Sequence, residues 1–325
     1  MLHLKQGAEL PELPGFGQNF WFSRLMHDIK RDMWLYAMLL PGIAYIIIFK
    51  YLPMYGITIA FQRYSVIRGF SDSPWVGFAN FTRLFGRVAF IRAVQNSIII
   101  GVLKMIFGFP LPIILALMMN ELRKVVFKRA IQTAVMLPHF INWIVISGIL
   151  YAIFSTRNGA VITLLRTFGF KGAMPNILAD PSSFRVLIIA SHLWKSIGYA
   201  SIIYMAAISG IDQELYEAAQ IDGAGRLRQL WHITLACIRP TIVILLIFRV
   251  GDVMNAGFDQ LFIMQNPMVI SVSEIIETYV YKIGMEGRSF SEATAAGLFQ
   301  SLIGFVLVLI TNHFANRIDP GSGIM

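Results

Sequence analysis

The sequence has few charged residues and a single cysteine. Charged residues make up 14% of the 325 residues and hydrophobic residues 56%, whereas a soluble globular protein has about 25% charged residues. Cys237 has no second cysteine with which to form a disulfide inside the chain. This composition excludes an ordinary soluble domain and indicates a membrane protein.

Several kinds of reactive site are also missing. The sequence has no Gly-x4-Gly-Lys-Ser/Thr phosphate loop and no Gly-Lys dipeptide, so ATP is not bound in that way. The histidines do not have zinc-finger spacing, and no serine, histidine and carboxylate combination suggests a nucleophilic enzyme. Although the net charge is +9, basic residues do not alternate with aromatic ones as in RNA-binding proteins. We therefore expect no catalytic residues, metal, cofactor or nucleic-acid partner in this chain.

Long apolar runs dominate the sequence. About 20 such residues cross a bilayer, and six runs of this kind can be drawn: Trp34–Ile57, Ile91–Met119, Ala130–Phe154, Phe184–Ile208, Ile233–Phe258 and Ala293–Phe314. The sequence thus predicts an all-α bundle of six membrane helices over residues 34–316, with a tail at 317–325. In the preceding segment, 1–33, an amphipathic helix is expected between Asn19 and Met33, on the membrane interface or against a partner subunit.

A polar segment, residues 209–235, interrupts the apolar pattern. Asp212 can cap a short helix, and Gly223 can end it in a left-handed conformation. A second helix would then place four side chains on one face, at i, i+3, i+4 and i+7: Leu227, Leu230, Trp231 and Thr234. An amphipathic loop on the membrane surface is the alternative, but it does not account for the order of small and acidic residues.

This segment resembles the EAA loop of permease subunits in binding-protein-dependent ABC importers. The matching residues are Glu217-Ala218-Ala219, Asp222-Gly223-Ala224, Ile233 and Leu235, whereas Ala236 stands where the family usually has proline. The Asp-Gly-Ala extension is similar to the sugar-importer branch, as are Trp75–Phe81 and Leu137–Phe140. Over residues 30–318 the chain is most similar to permeases for oligo- and polysaccharides, including the alginate type.

The resemblance implies a type I importer fold and a set of partners. Glu217, Ala218, Ala219, Asp222 and Gly223 would dock on an ATPase subunit. The whole machine would contain two ATPase subunits that bind ATP and Mg, a second permease, an extracytoplasmic binding protein and membrane lipid around the spans. The second permease is expected to be a different chain, although a homodimer stays open.

The orientation follows from this loop and not from the charges. Lysines and arginines of the predicted loops divide equally between the two sides, so the positive-inside rule decides little. An ATPase-docking loop has to face the cytoplasm, which predicts both termini in the cytoplasm of a bacterial inner membrane.

Ionisable residues inside spans suggest a translocation path, because they are costly in lipid. The fourth span carries one polar stripe, His192, Lys195, Ser196 and Tyr199, and the fifth carries another, Arg249, Asp252, Asn255 and Asp259. Lys104 lies midway along the second span. The alternative is structural: Arg249 pairs with Asp252, and Lys195 binds carbonyls or a neighbouring subunit. The sixth-span stripe Gly297, Gln300, Ser301 and Gly304 is expected to serve helix packing.

The excess of buried cations favours an acidic saccharide, such as a uronate polymer, over a neutral one. A secondary transporter or channel is the alternative function, and it would transport without ATPase subunits. A membrane enzyme would need a carboxylate or histidine cluster at the interface, which the sequence does not show.

Overall fold

The protein is described by a computed structural model that covers residues 31–122, 124–169, 172 and 176–318. The chain divides into two units, one up to Gly56 and the other from Ile57 onward. The predicted amphipathic helix at Asn19–Met33 and the tail at 317–325 lie almost entirely outside the described residues.

The first unit contains helix α1, Met33–Ile46, continued by a π-helical turn at Ile47–Tyr51. Pro41 lies inside α1. None of the α1 residues is buried within the chain. A 3₁₀ segment, Leu52–Phe61, leads into the second unit.

The second unit is helical throughout most of its described length. Its helices are α2 (Ala79–Phe85), α3 (Val88–Gly108), α4 (Pro110–Asn120), α5 (Val125–Met136), α6 (Trp143–Phe154), α7 (Ala160–Thr167), α8 (Pro181–Ser209), α9 (Gln213–Ile221), α10 (Arg226–Gln229), α11 (Leu235–Gly251), α12 (Phe258–Met264), α13 (Ile270–Ser273), α14 (Ile276–Tyr281) and α15 (Phe290–Ile318). The predicted all-α class is confirmed.

By length and composition, five helical stretches of the described chain can cross a membrane: Met33–Phe61, Val88–Asn120, Pro181–Ser209, Arg226–Met254 and Phe290–Arg317. A sixth span results if one bent helix pair counts as a single crossing. The number agrees with the six predicted runs.

The third predicted span is a broken one. We expected one continuous run over Ala130–Phe154, but Val125–Phe140 and Trp143–Phe154 meet at 101°. A 3₁₀ turn, Leu137–Phe140, precedes the bend, and Asn142 starts the next helix by accepting a hydrogen bond from the Ile144 amide at 3.1 Å. Pro138 in this turn lacks an amide hydrogen, which favours the break.

The fifth predicted span ends earlier than expected. It was drawn to Phe258, but α11 stops at Gly251 and a 3₁₀ turn, Asp252–Met254, follows. Gly257 then adopts a left-handed conformation with φ +101° before α12 begins. The chain between the fifth and sixth spans folds into α12, α13 and α14.

These short helices belong to the core. Leu261 and Ile275 are fully buried in one apolar cluster with Ile100 of α3 and with Phe184 and Ile188 of α8. A second cluster joins α2, α3, α14 and α15 around Leu84, Phe90 and Tyr279. Burial of this apolar surface keeps the connection between the last two spans folded against the bundle.

A buried carboxylate ties the start of α15 to α2 and α3. Glu292 forms ion pairs with Arg83, whose guanidinium lies 3.3 Å from Oε1, and with Arg87, whose guanidinium lies 2.7 Å from Oε2. Both arginine side chains are about half exposed. The carboxylate therefore has two cationic partners, one in α2 and one just before α3, which compensates for its burial.

Candidate functional site

The first helix of the polar segment at 209–235 folds as the sequence indicated. Oδ1 of Asp212 accepts a hydrogen bond from the Glu214 amide at 3.0 Å and caps α9. At the other end Gly223 has φ +75°, and the Ala224 amide donates to the Ala219 carbonyl at 2.8 Å. Both predicted helix signals are confirmed.

One face of α9 turns toward the chain. Gln213, Tyr216 and Gln220 line a polar cavity of about 730 Å³, together with Asn120–Leu122 at the end of α4. The Tyr216 hydroxyl lies 2.9 Å from Oγ1 of Thr234. This bond joins α9 to the base of the fifth span.

The other face of α9 is open. Glu217, Ala218 and Asp222 are exposed and Ala219 is half-buried. Ile221 protrudes with 87% of its surface exposed. This face therefore presents an exposed apolar side chain beside small residues.

The helix after Gly223 differs from the expectation. Arg226–Gln229 continues through a π-helical turn, Leu230–Thr234, into α11. Thr234 is buried, but Leu227 and Trp231 are exposed. The predicted regular spacing of these four side chains is interrupted, because the π-helical turn changes the angle between successive residues.

Lys195 contacts the bend of the third span. Its Nζ donates to the carbonyls of His139, at 2.6 Å, and of Ile141, with Pro138 O at 3.5 Å. Tyr199, one turn further along α8, stacks on the His139 ring at 4.0 Å. Tyr199 remains half exposed.

His192 and Ser196 lie beside Arg249. A guanidinium nitrogen of Arg249 is 3.4 Å from Nε2 of His192. Ser196, Tyr204 and Arg249 line a cleft of about 150 Å³ between α4, α8 and α11. The structure thus brings His192 and Ser196 of the fourth span to Arg249 of the fifth, whereas Lys195 and Tyr199 contact the third span.

Lys104 is inside the chain, with 3% of its surface exposed. Its Nζ donates to the Ala256 carbonyl at 2.7 Å and to Oε1 of Gln260 at 2.6 Å. Lys104, His192 and Arg249 also line a small polar cavity of about 40 Å³.

The fifth-span stripe does not lie on one helix. Since α11 ends at Gly251, only Arg249 lies in that helix, so the predicted single-helix spacing is wrong. Asp252 lies in the 3₁₀ turn, Asn255 in the irregular segment and Asp259 in α12. Asp252 accepts a hydrogen bond from Nδ2 of Asn255 at 3.1 Å, and both side chains are exposed. The expected alternative, an Arg249–Asp252 pair, is not among the ion pairs of the described residues.

Two polar residues at this place were missed from the sequence. Gln260 is buried and bonds to the Ile188 carbonyl at 2.7 Å and to Oγ of Ser191 at 3.0 Å. Oε2 of Glu277 accepts the Gly257 amide at 3.3 Å. Burial raises the pKa of the Glu277 carboxyl, against the lowering effect of that hydrogen bond. Neither residue lies in a predicted span, so no sequence signal pointed to them.

Packing on the sixth span is as expected for two of the four stripe residues. Nε2 of Gln300 donates to the Met254 carbonyl at 3.0 Å and to Oδ1 of Asn255 at 2.9 Å. Gly304 faces the Gly251 carbonyl so closely that a Cβ would lie 3.1 Å from it. Gly297 and Ser301 instead line an apolar groove of about 640 Å³. In the described part of the chain no histidine, cysteine and carboxylate cluster could hold a metal.

Comparison with known proteins relates this arrangement to a family. Residues 108–321 match the model of the binding-protein-dependent transport system inner membrane component. Protein LplB of Bacillus subtilis is 44% identical over 90% of this chain and 92% of its own length. The polygalacturonan/rhamnogalacturonan transport system permease protein YteP of the same organism is 40% identical over 91% of each chain.

Solved structures agree. A chain of a bacterial ABC transporter involved in the import of the acidic polysaccharide alginate has a TM-score of 0.84 and 41% identity, over 91% of this chain and 99% of that one. A chain of a bacterial alginate ABC transporter in complex with an alginate pentasaccharide-bound periplasmic protein has a TM-score of 0.83. The described residues hold five apolar spans, or six if the bent pair is one crossing. The chain belongs to the binding-protein-dependent transport system inner membrane components, the non-catalytic permease subunits of ABC importers.

Proposed function

We propose that this chain is the permease through which a saccharide enters the cytoplasm, driven by ATP hydrolysis in partner subunits. The observation that carries the proposal is α9, a capped helix whose exposed face has Ala218 and the protruding Ile221. Such a face fits the groove of a soluble partner and has no use in a channel that works alone. The relatives that transport polygalacturonan, rhamnogalacturonan and alginate support the saccharide class.

The docking residues are Glu217, Ala218, Ala219, Asp222 and Gly223. The two alanines let a partner surface approach closely, and the two carboxylates give it charged groups to bind. Because Tyr216 bonds to Thr234, a displacement of α9 by the ATPase would move the base of the fifth span with it. This linkage is how ATP binding would reach the membrane.

The remaining partners follow from this role. A second permease, which we take to be a different chain, completes the membrane portion, two ATPase subunits bind ATP and Mg, and an extracytoplasmic binding protein delivers the cargo. Because α9 has to meet the ATPase, the loop and both termini face the cytoplasm.

The translocation path is proposed to run past polar side chains of α8, of α11 and of the turn that follows α11. These are His192, Ser196, Tyr199, Arg249, Asp252 and Asn255. Tyr199 offers a half-exposed ring, and Asp252 and Asn255 offer exposed acceptors and donors. Such groups can replace water around sugar hydroxyls.

The cargo is proposed to be acidic. Arg249 borders the 150 Å³ cleft, and its partner is the ring of His192 and not a carboxylate in the described residues. A cation inside a span is costly without a counter-ion, so the carboxylate of a uronate would offset that cost as it passes.

The test is ATP-dependent uptake by the complete complex in proteoliposomes, with its binding protein and either uronate or neutral malto-oligosaccharides. Uptake of uronate oligomers alone supports the acidic cargo, and strong uptake of the neutral oligomers would overturn it while leaving the saccharide role intact. Uptake that persists without the ATPase subunits would overturn the importer itself. Glu217→Lys should abolish uptake, whereas the exposed Glu286→Lys should not.

A further inference from the structure

The backbone between α11 and α12 does not continue the α-helical hydrogen bonding of the fifth span. The α11 helix stops at Gly251, and Asn255–Gly257 has no regular structure before α12. Backbone groups without partners are costly inside a membrane protein, so such a break persists only where something else binds them.

Side chains from three other elements bind this break. The Ala256 carbonyl accepts from Lys104 at 2.7 Å, and the Met254 carbonyl accepts from Gln300 at 3.0 Å. The Gly257 amide donates to Glu277 at 3.3 Å. The break is therefore held in one conformation by α3, α14 and α15.

Lys104 is itself held in place by a second hydrogen bond. Its second bond goes to Oε1 of Gln260, whose Nε2 in turn bonds to Ile188 and Ser191 of α8. A Cβ at Gly257 would lie 3.1 Å from Nζ of Lys104. A larger residue at position 257 would therefore crowd the ammonium group. Lys104 thus joins the second span, the fourth span and the break.

The break carries the exposed polar groups. Asp252 and Asn255 are exposed and bonded to each other at 3.1 Å. Lys104 is buried beside the same backbone and lines the cavity of about 40 Å³ together with them. A buried ammonium bound to two acceptors of its own chain does not contact a cargo. It fixes the backbone next to the exposed pair through the Ala256 carbonyl, while Gln300 holds Asn255 itself at 2.9 Å.

We propose that Lys104 is a positioning residue, which places Asp252 and Asn255 for transport by holding the Ala256 carbonyl. The inference rests on the proposed role of the chain as a saccharide permease. It assigns to Lys104 an effect on the rate of translocation and none on recognition of the cargo.

The experiment compares Lys104→Met, Lys104→Arg and a control, Lys282→Met, in the complete complex with its binding protein. Lys282 is a suitable control because its side chain is 59% exposed and its ion pair with Glu274 is long, at 3.6 Å. Uptake is measured against the concentration of loaded binding protein, which separates the maximal rate from the half-saturating concentration.

Lys104→Met is expected to lower the maximal rate by roughly tenfold or more with an unchanged half-saturating concentration. Lys104→Arg should recover part of the rate, because a guanidinium still donates to both acceptors, and Lys282→Met should behave as wild type. If Lys104→Met does not assemble, Lys104→Arg decides: a lower rate at unchanged half-saturation supports positioning.

A raised half-saturating concentration at unchanged rate, in either variant, would overturn the proposal, because Lys104 would then affect the encounter with the loaded binding protein and not the rate of translocation. Wild-type uptake by Lys104→Met would overturn it as well. Failure of the wild-type complex to take up any saccharide would instead count against the proposed function, so the two are distinguishable.

Discussion

Lys195 of α8 donates a hydrogen bond to the main-chain carbonyl of His139, 2.6 Å away, at the bend of the third span. The same ammonium bonds to the carbonyl of Ile141, which lies within the break between the two helices that meet at 101°. A lysine therefore closes this break as Lys104 closes the one after the fifth span, and in both cases it comes from a neighbouring helix.

Replacing Lys195 should weaken the bend. Lys195→Met leaves the His139 and Ile141 carbonyls without their donor, and each such loss costs about 1–3 kcal/mol. We expect a lower melting temperature of the purified subunit in detergent, partly restored in Lys195→Arg. Equal melting temperatures for the methionine and wild-type proteins would show that water replaces the ammonium.

Gly198 permits the close approach of α8 and α5. A Cβ at this position would lie 1.9 Å from the Val135 carbonyl oxygen, so Gly198→Ala has to separate the helices and should destabilise the protein by about 1–3 kcal/mol. Gly148→Ala is the matched control, since Gly148 is also helical and has nothing within 4 Å. The control should be neutral or slightly stabilising. Thermal unfolding of both variants in detergent checks this, and equal behaviour would contradict the close packing.

Gly223 should be required for coupling. Its φ of +75° is strained for alanine by roughly 1–2 kcal/mol, so Gly223→Ala should shift the end of α9 and lower ATP-driven uptake. Gly225 has φ −69° and open space around it, so Gly225→Ala should transport normally. Both variants are tested by uptake in reconstituted complexes. Normal uptake by Gly223→Ala would show that the end of α9 is not needed for docking.

Topology can be checked with reporters. A reporter that is active only outside the cytoplasm should be silent after Arg317 and active when inserted near Lys171. The opposite pattern would reverse the orientation and place α9 where no ATPase can reach it.

Asp180 should make the start of α8 sensitive to acid. Hydrogen bonds from the Ser182 hydroxyl and the Ser183 amide lower the pKa of the Asp180 carboxyl from 3.8 to about 2. A lowered pKa stabilises the fold above 3.8, and this stabilisation is lost as the pH falls toward 2. Asp180→Asn should therefore melt at a lower temperature than wild type at pH 7, and the difference should narrow below the ordinary pKa of aspartate. A difference that stays constant down to that range would assign the effect to the side chain's shape and not to its charge.

The sequence predicted the local features well because their causes are local. Asp212 and Gly223 act on residues within one turn, and the apolar runs reflect the bilayer and not the tertiary fold. The two breaks depend instead on distant partners. Lys104 and Ala256 are separated by 152 positions. Nothing near Ala256 in the sequence indicates that its carbonyl accepts a hydrogen bond from a side chain of α3.

The candidate path shows the same limit. His192 and Arg249 could be chosen as unusual residues of their spans, but their contact is set by the packing of α8 against α11. Lys195 and Lys104 were chosen by the same rule, and the structure places their ammonium groups on backbone carbonyls. An ionisable residue in a span marks a polar partner nearby without showing whether that partner is cargo or chain.

The double ion pair at Glu292 makes this part of the protein redundant. Because Arg83 and Arg87 reach the same carboxylate, the loss of one arginine leaves Glu292 with a cation. Substitutions made one at a time would then understate the contribution of the pair, since the effects of neighbours that share a partner do not add. Natural sequences could lose either arginine and keep an ion pair at Glu292, whereas a change at Glu292 would leave both arginines without their carboxylate partner.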